Sequence, residues 1–162
     1  MSETSEFDAR PGEIALPFDP ATEADDARVV FIGRIASPWR TRADCPKNLA
    51  RARERGQSAT LEIDAPYRPG LAGLVPGSRA IVLYWMHYAR RDLIVQKPRH
   101  KETAAGVFSL RSPVRPNPIA VATVNILAID EAAGRVTIDA IDCLDGTPLV
   151  DLKPWLETVD VG

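Results

Sequence analysis

The sequence predicts an all-β chain, a small antiparallel β-barrel with short helical turns and a flexible acidic N-terminal tail. Three observations point there. Short β-branched or alternating runs recur along the chain, and turn residues close each of them. No long stretch shows helical periodicity. The 162 residues include 14 prolines and 10 glycines, which favours many turns over long helices. About seven or eight strands at short spacing fit a barrel or sandwich better than βαβ units, and the length suits one domain.

The elements follow in order. Residues 1–27 are polar, acidic and without periodicity, and read as a tail that Ile14, Leu16 and Phe18 can strap down. Order begins with the β-branched run from Arg28 to Ile35, which ends at Ser37-Pro38. Residues 40–56 are basic and mostly loop, with one or two helical turns from Asn48 to Arg55 that Gly56 stops. Ala59 to Ile63 alternates as a strand. Tyr67 to Gly77 carries turn chemistry throughout. Ala80 to Met86 is the most hydrophobic run and reads as a buried central strand; a buried helix is the alternative, since short apolar runs are ambiguous. Leu93 to Lys97 is a short strand, and Gly106 to Leu110 leads into a proline-rich segment. Ile119 to Asp130 is a long strand. A turn at Glu131 to Gly134 sends the chain back through Arg135 to Asp142, and Leu149 to Leu152 is a last short strand. The expected division is a tail at 1–27 and a barrel domain at 28–162.

The net charge of −2 conceals an asymmetry. Residues 1–27 carry eight acids and one base, so the remaining chain is net positive, which permits a polyanionic partner; an ordinary solvated surface is the alternative. No apolar run has membrane-spanning length and no apolar leader opens the chain, so a cytoplasmic protein without membrane contact is expected. Cys45 and Cys143 have no CxxC partner and read as reduced thiols. Two histidines with two distant cysteines make no convincing zinc site, so no metal is expected. Neither GxGxxG after a strand, nor a P-loop, nor a GxSxG elbow is present.

Two dense segments remain. The first runs Gly106-Val107-Phe108-Ser109-Leu110-Arg111-Ser112-Pro113-Val114-Arg115-Pro116-Asn117-Pro118-Ile119. Its three prolines fix φ and remove donors, so the part after Leu110 is neither helix nor central strand but an ordered extended connector. A stiff backbone presenting Arg111 and Arg115 suits carboxylate or phosphate. The second segment, Asp142 to Trp155, contains Leu144-Asp145-Gly146-Thr147-Pro148 and Asp151-Leu152-Lys153-Pro154.

In these two segments, and at Ile32-Gly33 and Ser37-Pro38, the chain resembles the TrmO family, also called TsaA-like or YaeB-like, over roughly residues 30–156. The resemblance is to a short form without the further C-terminal domain of longer bacterial members. It implies S-adenosylmethionine as cofactor, a small antiparallel barrel, and a homodimer with the cofactor near the subunit contact. It implies N6-methylation of a threonylcarbamoyl-adenosine beside the anticodon of tRNA. Carried over by motif, the cofactor-binding positions are Pro46, Lys47 and Asn48, where the family has Pro-Arg-Gln; His87 and Tyr88, where it has His-Gln; Arg111; Val121; and the turn Asp145, Gly146, Thr147 and Pro148. The alternatives are a methyltransferase of the same fold acting on another substrate, and a non-catalytic cofactor- or RNA-binding module.

Each candidate has a competing structural role. Arg111 can bind the cofactor carboxylate or a phosphate, or pair with Asp142 or Asp145. Asp145 can hold a ribose hydroxyl or accept a proton, or open a β-turn. His87 can stack on adenine or relay a proton, or be a hydrogen-bonded core histidine. Asp145 and His87 are therefore the catalytic candidates. Arg115, Asn117 and Lys153 are the substrate-binding candidates, against loop tethering for Asn117 and pairing with Asp151 for Lys153. A tRNA-facing surface can draw on Arg40, Arg42, Arg51, Arg53, Arg55, Arg90, Arg91, Lys97, Arg99 and Lys101. Trp39 and Tyr67 can stack a base or pack in the core.

Overall fold

The computed structural model describes residues 9–23 and 26–161. Glu3, Glu6, Asp8 and Asp25 of the acidic segment lie outside the described residues. Among the described residues two compact units form: 9–23, 26–28 and 88–118 in one, 29–87 and 119–161 in the other.

The larger unit is a closed barrel of six antiparallel strands. They are β2 (Gly33–Ala36), β3 (Ala59–Ile63), β4 (Arg79–Trp85), β7 (Ile119–Asp130), β8 (Arg135–Ile138) and β9 (Thr147–Pro154), arranged β2-β3-β8-β7-β4-β9 and back to β2. The run at Ala80 to Met86 is thus a strand as far as Trp85. It is central, paired on one side to β7 with Val82 opposite Ala122 and on the other to β9 with Val82 opposite Leu152. Period-2 alternation sends Ala80, Val82 and Tyr84 inward, where they meet Ile35, Leu61, Val124, Ile126, Val136, Ile138 and Leu149.

Gly33 makes one closure possible. A Cβ there would lie 1.9 Å from the Glu62 carbonyl oxygen, so β2 and β3 approach too closely for any side chain. Strand β2 begins later than the β-branched run suggested. Val29, Val30 and Phe31 are exposed and unpaired in any ladder. The reason lies in their neighbours: β9 leaves β2 after Leu149 to follow β4, and after Asp64 the chain enters a 3-10 turn at Ala65–Leu71. Propensity without a partner strand does not make a strand.

Helix α1 (Leu49–Glu54) sits between β2 and β3 in sequence. Asn48 caps it, its Oδ1 accepting the Arg51 N–H at 2.9 Å. A second short helix, α2 (Glu157–Asp160), ends the described chain.

The smaller unit is a three-stranded sheet in the order β1-β5-β6, from β1 (Ile14–Ala15), β5 (Leu93–Gln96) and β6 (Ala105–Gly106). Ile14 faces Val95, so part of the acidic segment is a strand. Glu13 secures it. One carboxylate oxygen accepts the Lys97 N–H at 3.0 Å and the Arg10 guanidinium at 2.7 Å; the other accepts the Arg10 N–H at 3.0 Å. Desolvation alone would raise the Glu13 pKa, but these bonds and the Arg10 charge outweigh it and hold the carboxyl down at about 2.

Candidate functional site

The Asp-Gly-Thr-Pro segment is a tight turn leading into β9. The Thr147 N–H donates to Leu144 O at 3.2 Å, which puts Asp145 and Gly146 at the two central positions; Asp145 is therefore not the first residue of the turn, as the sequence suggested. Gly146 has φ +81°, a conformation that favours glycine, and a Cβ there would meet nothing within 4 Å. The turn thus offers bare backbone facing open space. Thr147 is buried, and its hydroxyl donates to Leu144 O at 2.6 Å, so its side chain serves the turn.

The turn is fastened to residues 37–40. Asp145 N–H donates to Trp39 O and Gly146 N–H to Ile35 O, each at 2.8 Å. Ser37 N–H donates to Asp145 Oδ1 at 3.0 Å, and Arg40 faces Oδ2 at 3.1 Å. The Ser37 hydroxyl donates to Cys143 O at 2.7 Å and accepts the Trp39 N–H at 3.1 Å. Trp39 Nε1 donates to Ile141 O at 2.7 Å. Trp39 is 4% exposed, so it packs in the core and is not a base-stacking platform. Ser37 was legible only as the end of a strand; the Ser-Pro step was the signal of its role, since a small hydroxyl residue there can take up backbone groups that the turn leaves unpaired.

Shortly before the turn in sequence, Asp142 joins a partly buried polar cluster. Tyr84 donates its hydroxyl to Asp142 Oδ1 at 2.7 Å. Burial pushes the Tyr84 phenol far up, and the Asp142 charge adds to this. Burial pushes the Cys45 thiol up to about 11, again reinforced by Asp142. Both cysteines are free thiols. The two carboxylates weighed as partners for Arg111 are thus engaged within the barrel, Asp142 by Tyr84 and Asp145 by Ser37 and Arg40.

The other candidates of this unit are placed as follows. Pro46 is buried, while Lys47 and Asn48 are exposed at the start of α1. His87 is exposed just past β4, which decides against a core histidine. Val121 stands on the outer face of β7, 44% exposed, opposite Leu83 of β4. Lys153 pairs with Asp151 at 3.0 Å. Tyr67 is partly exposed.

The smaller unit carries the rest. Tyr88 and Arg111 are exposed. Residues 110–118 form neither helix nor strand, and arginines order them instead. Arg115 donates to the carbonyls of Val107 and Leu110, while Arg91 donates to Pro116 O at 2.6 Å and to Asn117 Oδ1 at 3.3 Å. Prolines lack N–H donors, so the segment has carbonyls to spare, and guanidinium forks supply what a ladder would have. Among the described residues no group of three or more His, Cys, Asp or Glu could hold a metal ion, and no helix is long and apolar enough to cross a membrane.

A closed six-stranded antiparallel barrel with an exposed glycine turn fastened to residues 35–40 is a small all-β barrel domain, not a dinucleotide sheet. The chain belongs to the TrmO family: the model of the tRNA-methyltransferase O N-terminal domain matches residues 34–161. The probable S-adenosyl-L-methionine-binding protein VirR of Rhizobium radiobacter is 40% identical over 142 residues, which are 87% of this chain and 75% of that protein. The tRNA (adenine(37)-N6)-methyltransferase of Mus musculus is 28% identical over 146 residues, covering 87% of this chain and 33% of that one. A solved structure of TrmO superposes with a TM-score of 0.64 at 32% identity and covers 84% of this chain; the chain spans 58% of its length.

Proposed function

We infer that this chain binds S-adenosylmethionine and transfers its methyl group to tRNA, at N6 of a threonylcarbamoyl-adenosine beside the anticodon. The observation that carries the reading is the family match over 34–161, within which the Asp-Gly-Thr-Pro turn is presented on bare backbone. The residues present fit the cofactor. Gly146 leaves room where any side chain would stand, so a ligand can approach the main chain. In the barrel unit, Pro46, Lys47, Asn48, His87, Val121 and the turn from Asp145 to Pro148 would hold it; Tyr88 and Arg111, which belong to the other unit, are candidates by motif alone. Asn48 spends its Oδ1 on capping α1, which leaves its amide N–H groups for a ligand. The bound cofactor supplies an electrophilic methyl group on sulfur.

The chain's own work is alignment and removal of the acceptor proton. Both oxygens of Asp145 already accept hydrogen bonds or face a guanidinium, so Asp145 serves as a fixed acceptor for a hydroxyl. That makes exposed His87 the better-suited proton acceptor of the two. The protein acts in the cytoplasm as a homodimer.

The test is methyl transfer from labelled S-adenosylmethionine to two tRNA pools, with and without the threonylcarbamoyl modification. Label confined to the modified pool is expected. Cofactor binding without label in either pool would refute the substrate, and absence of cofactor binding would refute the reading altogether.

A further inference from the structure

Ten basic residues compete for the role of RNA contact, and the structure separates them. Around α1 most are already spent. Arg40 faces Asp145, Arg51 pairs with Glu54 at 2.9 Å and Arg53 with Asp139 at 3.0 Å. Arg55 donates to the Asp44 carbonyl and lies over the Trp39 ring at 5.0 Å. A cation paired with a carboxylate releases fewer counterions on meeting a phosphate, so Arg40, Arg51 and Arg53 add less affinity for a polyanion, while Arg55 keeps its charge but has its guanidinium held by a carbonyl and a ring.

In the smaller unit Arg90 pairs with Asp92 at 2.7 Å and Arg91 serves the proline segment, but one hollow holds the opposite arrangement. A concavity of about 320 Å³ is lined by Arg10, Pro11, Lys97, Pro98, Arg99 and Lys101. Lys101 N–H donates to Pro98 O at 3.0 Å, closing a turn that carries Arg99 and Lys101 into the same hollow. The nearby carboxylate, Glu13, is fully used by Arg10 and the Lys97 backbone, so Arg10 and Glu13 cancel. Among the described residues, the side chains of Lys97, Arg99 and Lys101 make no ion pair. Like charges gathered in a concave surface repel one another and raise its potential; an anion that enters relieves the repulsion. Prolines on two sides stiffen the hollow, so little ordering is needed when a ligand arrives.

We propose that the hollow lined by Arg10, Lys97, Arg99 and Lys101 is a phosphodiester-binding site in which Lys97, Arg99 and Lys101 grip the RNA backbone. It rests on the tRNA reading above and extends it. The contact is to phosphates, so it supplies affinity and register without reading bases.

The experiment compares the full chain with the Lys97→Gln, Arg99→Gln, Lys101→Gln triple variant. Binding of unfractionated tRNA is followed across a series of KCl concentrations, and S-adenosylmethionine binding is measured alongside. Each lost phosphate contact lowers the slope of log K against log salt by about 0.7–0.9, so the triple variant should lose about two units of slope and more than about tenfold in affinity near 0.1 M salt. Cofactor affinity should be unchanged, and Arg51→Gln should keep the wild-type slope. Equal slopes for wild type and triple variant, with wild type binding tRNA, would overturn the hollow while leaving the substrate reading intact. Wild-type protein that binds cofactor but shows no salt-dependent tRNA binding would overturn both.

Discussion

Replacing Ser37 with alanine removes one hydroxyl that serves two backbone groups. Ser37 is 6% exposed; its Oγ donates to Cys143 O at 2.7 Å and accepts the Trp39 N–H at 3.1 Å. Both partners sit in buried residues, where water cannot easily substitute. Leaving a buried polar group unpaired costs about 1–3 kcal/mol, so the variant should lose about 2–4 kcal/mol. At roughly 2–4 °C per kcal/mol for a chain of this size, Tm should fall by roughly 5–15 °C. The comparison is Ser78→Ala. Ser78 Oγ also donates to a backbone carbonyl, that of Val75 at 2.6 Å, but on an exposed turn, where water replaces the hydroxyl. That variant should change stability by less than about 0.5 kcal/mol. Denaturant midpoints for the three proteins, with equal m-values, provide the test. Equal losses at Ser37 and Ser78 would refute the argument, because burial would then not be what makes the Ser37 hydroxyl matter.

Three further outcomes are expected. Gly33→Ala should prevent β2 from closing on β3, since the new Cβ would stand 1.9 Å from a backbone oxygen that cannot swing away; a folded variant with wild-type near-ultraviolet circular dichroism would contradict this. With its pKa pushed up to about 11, the Cys45 thiol should react slowly with a disulfide reagent near neutral pH and speed up well into the alkaline range; a rate that levels off below pH 9 would contradict the burial assigned to it. Glu13 has a folded pKa below its ordinary value, so it stabilises above 4.5 and loses that contribution as pH falls toward about 2. The stability gap between wild type and Glu13→Gln should therefore narrow across that interval, and a constant gap would count against the Arg10 and Lys97 bonds.

The barrel was legible because its strands state their own pattern. Arg79–Trp85 and Arg135–Ile138 alternate one face in and one face out, and turn residues punctuate them. The ends were not legible where they depend on partners distant in sequence. Val29 to Phe31 have strand propensity but no neighbour, because β9 turns away to β4. Ile14–Ala15 holds a single β-branched residue and no run of them, yet forms a strand, because β5 offers an edge and Glu13 binds the Lys97 amide. In the site, Gly146 was readable from its turn chemistry. The tasks of Arg115 and Arg91 were not, since only the folded loop shows which carbonyls the prolines leave without donors.

Closure of the barrel has a consequence in time. Every strand of β2-β3-β8-β7-β4-β9 has two neighbours, and β3, β4 and β8 are paired on both sides along most of their length, so a ladder amide there meets solvent only when the ring itself opens. The β1-β5-β6 sheet ends in two edge strands of two residues each, and their amides need only a local parting. Deuterium uptake should run on two clocks, slow in the ring and fast in the small sheet. Arg111, Lys97 and Arg99 belong to the faster part, so a ligand gripped there should announce itself as slowed exchange across residues 88–118 before it changes anything in the ring.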